Sequence, residues 1–263
     1  MAREAAGRQG VSGSDCTEYA LGFALALAAG VDRSAPRFIM QKTGGSVMRF
    51  KTDEGEFDFT PNRAIVAGWT GRDAAAVQHH IDELAEIGVP GPSSYPLYYR
   101  VSAATVTQAD HIEALGDASS GEVEAVVIKR DGVLWLTVGS DHTDRALEAY
   151  SVAHSKQICS KPIGAEAWRM DSVADLDQLQ LKAWIVENGE EILYMDGSMA
   201  AVRAISELMA GAELADGEIM FCGALPAIGG VRPSDRFRME MTDPATGRTI
   251  SHKYGVTHLP TIS

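Results

Sequence analysis

Glu122 and Glu124 stand two residues apart in the stretch SGEVEAVVIKRDGVLWLTVGSDHTDR, residues 120–145, which closes with Asp141, His142, Asp144 and Arg145. Side chains two apart in an extended chain share a face, so the two glutamates project together from Cα atoms about 6 to 7 Å apart. Carboxylates that close repel each other unless water or a cation lies between them. Asp141 follows the next apolar run. Three acids at strand ends make an oxygen-donor set for a hard divalent ion, Mg2+ first and Mn2+ or Ca2+ as alternatives, with positions left for water and a chelating substrate. The other reading of the same residues is a solvated strand face in a chain with 36 acidic residues.

The elements that must position these acids are short strands. Glu122–Ile128 and Val133–Val138 are apolar and β-branched, and Arg130-Asp131-Gly132 supplies turn residues, which predicts a hairpin. Upstream, VMRFKTDEGEFDFTP alternates around Asp53-Glu54-Gly55 as a second hairpin, and Arg63–Ala67 reads as a third strand. Asp73 can cap a helix reaching Ile87, with Val77, Ile81, Leu84 and Ile87 on one face and Gly88 and Pro90 ending it. His80 and Glu83 lie three apart on that helix, so the carboxylate can orient the imidazole as a base. Two exposed helix histidines are the alternative. Tyr95–Val101 reads as a strand, and a loop is expected between His111 and Gly121. Leu176–Val186 and Ile192–Met195 flank Asn188-Gly189, a hairpin signal. Ser198–Ala210 has helical spacing, Glu218–Cys222 reads as a buried strand, and Phe237–Thr242 with Thr249–Tyr254 reads as a closing hairpin. Many short strands with two or three helices predict an α+β architecture dominated by mixed sheet.

Taken in order, GEVEAVVI, GSDHTDR and HSKQICSKPIG resemble the signature of the fumarylacetoacetate hydrolase superfamily: E-x-E on one strand, an aspartate with an arginine four residues on, and a lysine further along. PLYYRVSAATVTQADHI upstream, and ENGEEILYMDGSMAAVRAISELMA and ADGEIMFCGALPAIGGVRPSDRFRMEM downstream, are similar to the remaining blocks of that pattern in the same order, from about residue 64 to 258. The resemblance is to a bacterial branch known only as a domain of unknown function.

That resemblance implies a mixed β-sandwich roll of the fumarylacetoacetase C-terminal-like type, as a single catalytic domain over 48–263 behind an N-terminal extension over 1–47, and usually a homodimer. It implies a metal on Glu122, Glu124 and Asp141. Arg100, Arg145 and Lys156 would then hold a small-molecule carboxylate substrate or the anion that develops from it. Arg100 takes the place of the family's common lysine, with a surface arginine as the other reading. His80 with Glu83 stands for the family's water-activating pair, provided the loop or helix before it is longer than in relatives. Gly223-Ala224 stands where relatives carry Gly-Thr, so Ala224 keeps a backbone N–H but lacks the hydroxyl. Glu148 falls where many relatives carry glutamine. The expected activity is metal-dependent hydrolysis of a carbon-carbon bond in a β-dicarbonyl or 2-oxo acid of acylpyruvate type, through an enolate stabilised by the ion. A decarboxylase or isomerase of the same superfamily, and a catalytically silent binding protein, are the alternatives.

Composition bounds these readings. A formal charge of -13 argues against nucleic acid, whose phosphates require basic patches. Three widely spaced cysteines argue for a reduced, cytoplasmic setting over a disulfide framework. No apolar run is long enough to cross a membrane. YALGFALALAAGV, residues 19–31, follows Glu4, Asp15 and Glu18, so it lacks a cleanly basic leader and reads as a short apolar helix.

Overall fold

The computed structural model describes residues 45–86 and 91–262, and the side chains of residues 80 and 83–86 lie outside that description. Most of the expected 1–47 extension falls outside it as well. Six strands form a central sheet in the order Trp168–Arg169, Val133–Ser140, Val123–Arg130, Glu218–Phe221, Arg63–Gly68 and Leu97–Val101. Glu218–Phe221 runs parallel to Arg63–Gly68, and the other neighbours are antiparallel. A second sheet orders Glu190–Ser198, Gln180–Glu187, Arg236–Thr242, Thr249–Leu259 and His111–Leu115, the last pair parallel. This is an α+β fold of mixed sheets with few helices.

The six-stranded sheet is buried on both faces. Ala125, Val127, Leu136 and Val138 meet Leu181, Met239, Met241 and Ile250 of the second sheet in one core. Val126, Ile128, Trp135 and Phe221 face the other way and pack with Phe50, Phe59, Ile163 and Ala167 beneath the hairpin Met48–Thr52/Gly55–Phe59. Double burial is why these strands read AIVA, AVVI and EIMF without polar alternation, whereas Gln180–Glu187 alternates buried and partly exposed residues. Asp131-Gly132 and Asn188-Gly189 make the two tight hairpin turns with all four residues at positive φ, between +52° and +85°, a geometry that Asn-Gly and Asp-Gly favour because it matches strand twist.

Three elements depart from the sequence reading. The helix expected over Ser198–Ala210 is a 3-10 turn at Met199–Ala201 followed by a helix at Ile205–Gly211. Its backbone is diverted at 202–203, where Arg203 N donates to Thr70 O at 2.8 Å and Val202 bridges to Gly71. The loop expected after His111 begins as the strand His111–Leu115, whose alternation of exposed and buried residues suits a sheet edge. The strand expected from Leu176 begins at Gln180, because Asp175 caps a 3-10 turn over Leu176–Gln178. Helix Ala74–Glu86 starts as expected, with Asp73 Oδ1 accepting from the amides of Ala75 and Ala76.

Candidate metal centre

The hairpin delivers the acids to one place. Glu122 and Glu124 share the face of Val126 and Ile128, and the register sets Glu124 opposite Gly139. One step further, Asp141 N donates to Glu122 O at 3.0 Å, so the aspartate lies level with the first glutamate. Oxygens of Glu122, Glu124 and Asp141 all lie within 4.8 Å of one another, with Glu124 and Asp141 buried and Glu122 partly so. Gly139, opposite Glu124, leaves room for the core beneath the acids: a Cβ there would stand 2.6 Å from Val126 Cγ2 and 2.8 Å from Phe221 Cε1.

Each acid has a different partner. Arg145 Nη2 lies 3.1 Å from Glu122, while its Nη1 reaches Glu148 at 2.8 Å and its Nε donates to Ser120 Oγ at 2.7 Å. Asp141 is ion-paired to Lys156 through Oδ2, and its Oδ1 lies 3.2 Å from Lys161 Nζ but off the hydrogen-bonding direction. Glu124 accepts a 2.6 Å hydrogen bond from Gly223 N and has no ion pair among the described residues. Burial would raise the Asp141 carboxyl, but the two ammonium groups outweigh it and hold it at about 2. Burial pushes Glu124 well above the usual carboxylate range, and the neighbouring Asp141 and Glu122 push it further. Glu122 is raised by burial as well, against the opposing pull of Arg145. Lys156, buried as it is, is held above its ordinary value by Asp141 and Glu122.

This donor set fits a divalent ion. Three carboxylates are the hard ligands Mg2+ and Mn2+ take, Asp141 Oδ1 is a buried oxygen without a hydrogen bond, and Glu124 is a buried acid with no ion pair among the described residues.

The structure brings Glu122, Glu124, Asp141, Arg145 and Lys156 together, and Gly223 with them. Gly223 N is spent on Glu124, which makes it a holder of the acid, and Ala224 is partly exposed beside it. Arg100 is not brought to the acids. It pairs in register with Ile65, whose side chain enters the core between the two sheets, and its guanidinium donates to Ala212 O at 3.1 Å on that side. Its neighbour Tyr99 faces the acids instead, with Lys156 Nζ 5.7 Å from its ring centre. The side chains of His80 and Glu83 lie outside the described residues, on helix Ala74–Glu86. His142, next to Asp141 in sequence, is not exposed. It is buried between Tyr254 OH at 3.0 Å and Ser119 Oγ at 2.9 Å, and burial with the nearby Lys161 and Arg145 lowers its pKa to about 3.

Sequence reasoning passed over Lys161, which is fully buried and donates to His142 O at 2.5 Å. Burial lowers its ammonium, against the pull of Asp141. Its setting in ICSKPIG, a lysine among apolar neighbours, was the available signal. Tyr254 was passed over too: its hydroxyl joins Ser140 Oγ at 2.8 Å to His142, and Ser140 Oγ accepts from Glu122 N at 3.2 Å. A hydroxyl from a strand of the second sheet thus braces the backbone of the first acid.

The family described as Protein of unknown function (DUF2848) matches residues 67–254. No curated protein matches the chain. Among solved structures, fumarylpyruvate hydrolase from Pseudomonas aeruginosa in complex with Mn2+ and pyruvate is 17% identical, with a TM-score of 0.57 over 81% of this chain and 97% of that one. Yeast ynq8, a fumarylacetoacetate hydrolase family protein, is 16% identical at a TM-score of 0.54, over 77% of this chain and 95% of its own. 2-Keto-3-deoxy-D-arabinonate dehydratase complexed with magnesium and 2,5-dioxopentanoate is 16% identical at a TM-score of 0.56, over 76% and 74% of the two chains. At these identities the likeness establishes a shared fold.

Proposed function

Because the chain belongs to the family described as Protein of unknown function (DUF2848), whose description carries no activity, we propose from the geometry that it is a divalent-metal enzyme hydrolysing a carbon-carbon bond in an acylpyruvate-type β-dicarbonyl or 2-oxo acid. The observation that carries this is the meeting of Glu122, Glu124 and Asp141 within 4.8 Å at a buried sheet end, beside a lysine. Mg2+ or Mn2+ held on these oxygens supplies Lewis acidity toward a chelating carbonyl and carboxylate. Gly223 N fixes one oxygen of Glu124, and so the orientation of the carboxylate that would help hold the ion. Lys156, nearly buried and charged, is placed to stabilise negative charge developing on the substrate oxygen. Arg145 orients Glu122 and is itself braced by Ser120 and Glu148. His80, aided by Glu83, would take the proton from the attacking water.

The second reading is a decarboxylase or isomerase, in which the enolate forms without attack of water; a dehydratase on the same fold supports it as a case of such chemistry without hydrolysis. The experiment is a Mn2+ titration of the full chain followed by product analysis on acylpyruvates and oxaloacetate, with Glu124→Ala against the exposed control Lys253→Ala. Pyruvate plus a second carboxylate, lost in Glu124→Ala alone, supports hydrolysis. Carbon dioxide or an isomer moves the assignment to the second reading, and bound Mn2+ without turnover leaves a silent binding protein.

A further inference from the structure

The strand Arg63–Gly68 ends in a residue with unusual backbone geometry. Trp69 holds φ at +59°, a left-handed conformation that bulky L residues rarely adopt and that concentrates at functional sites. Its neighbours are locked around it. Thr70 packs on Gly223, where a Cβ would stand 1.8 Å from Thr70 Oγ1, and Gly223 is the residue whose amide holds Glu124. On the other side Gly68 makes room for Tyr99, whose Cε2 would lie 2.7 Å from a Cβ there. Trp69 Nε1 donates to Tyr99 OH at 3.3 Å, and the Tyr99 ring centre is 5.7 Å from Lys156 Nζ. Two aromatic rings therefore run from the loop beside Gly223 to the lysine beside Asp141, and both are only partly buried.

Charge points the same way. Each described cation that reaches the acids is already engaged: Arg145 by Glu122 and Glu148, Lys156 and Lys161 by Asp141. The cations flanking the Trp69 loop are engaged too, Arg72 by both oxygens of Asp177 and Arg203 by Glu207. Arg100, the residue that would have met a second carboxylate, sits on the opposite face of the sheet. A substrate with a charged tail would exchange hydration for contact with aromatic faces, whereas a planar uncharged tail would stack on them.

Resting on the reaction proposed above, we infer that the site takes acylpyruvate monoanions whose acyl group is a planar, uncharged aromatic or conjugated group seated against Trp69 and Tyr99, and that it discriminates against acyl groups ending in a carboxylate. Trp69 is the specificity residue, and its strained backbone is what aims the ring.

The test uses the full chain loaded with Mn2+ and three probes: oxalate, which engages the ion alone, followed by calorimetry, and benzoylpyruvate, with an aromatic tail, and fumarylpyruvate, with a carboxylate tail, followed by stopped-flow mixing so that their affinities are read before turnover. Benzoylpyruvate is expected to bind up to about tenfold tighter than fumarylpyruvate, the upper end of the scale of one aromatic stacking contact. Trp69→Gly, which suits the left-handed φ, is expected to lose about tenfold in benzoylpyruvate affinity and to leave oxalate affinity within about twofold. Should Trp69→Gly fail to fold, Tyr99→Leu carries the same comparison. Equal or tighter binding of fumarylpyruvate, or parallel loss of oxalate and benzoylpyruvate in the variant, overturns the inference while leaving the metal site standing. Absence of Mn2+ or oxalate binding to the unsubstituted chain overturns the proposed reaction, and this inference with it.

Discussion

Replacing Glu124 by glutamine keeps an acceptor for Gly223 N and removes the charge that an ion needs, so it separates the metal reading from simple packing. The apo melting temperature should hold or rise in Glu124→Gln, because burial already favours the uncharged carboxyl. The stabilisation conferred by Mn2+, about 2.7 kcal/mol at a hundredfold excess over Kd, should vanish, which paired melting scans would read. The pH dependence has a fixed sign. Glu124 has a folded pKa above its unfolded value, so without metal the folded chain binds more protons and loses stability as pH rises through that interval. Mn2+ bound at this carboxylate would displace that proton. The melting-temperature gain on adding Mn2+ should therefore grow as pH rises above the usual carboxylate range, whereas a gain independent of pH would contradict the assignment. Asp141 behaves oppositely: its contribution is complete above the ordinary aspartate value of 3.8 and is lost as pH falls through about 2. Lys161→Met removes one of the two ammonium groups holding it down, so acid unfolding should begin at higher pH. Breaking a buried pair of this kind should cost about 3 kcal/mol at neutral pH, read by denaturant titration.

At the level of elements, the site depends on a hairpin, a glycine and a brace from the other sheet. Gly223→Ala puts a Cβ on Thr70 at a residue with φ of +102° and displaces the amide that holds Glu124. It should lower Mn2+ affinity by about tenfold or more and destabilise the apo chain by about 2 kcal/mol, measured by titration and melting. The hairpin was legible because AVVI, Asp131-Gly132 and LWLTV state strand, turn and strand without ambiguity. Asp73 as a cap and Asn188-Gly189 as a turn were legible for the same local reason. The helix expected over Ser198–Ala210 was not, because its apolar spacing says nothing about Arg203 N meeting Thr70 O across more than a hundred residues. Arg100 was misplaced by a parity question: in a two-residue repeat one step of register exchanges the faces, and Tyr99, not Arg100, faces Lys156.

For the whole molecule, the two sheets enclose one core and the hairpin Met48–Thr52/Gly55–Phe59 helps cover a second, with the acids at the edge of the latter. The homodimer remains a proposal from the resemblance, to which exposed Tyr150 and Ile158 beside the Lys156 helix lend an apolar surface. Light scattering on the full chain should return twice the chain mass, and a monomer at micromolar concentration would remove it. No described helix is long and apolar enough to cross a membrane.

Read alone, the chain determined the local facts: which stretches pair as hairpins, that Glu122 and Glu124 share a face, and that Asp141 with Arg145 follows the next strand. These depend on periodicities of two residues and on turn chemistry, both of which act over neighbours in sequence. Tertiary structure alone decided that Lys161 is buried against Asp141, that Tyr254 braces the backbone of Glu122 through Ser140, that Arg100 faces away and that Tyr99 lies between Lys156 and Trp69. Those outcomes come from which face of a doubly buried sheet each side chain meets, and that is set by the packing of distant strands.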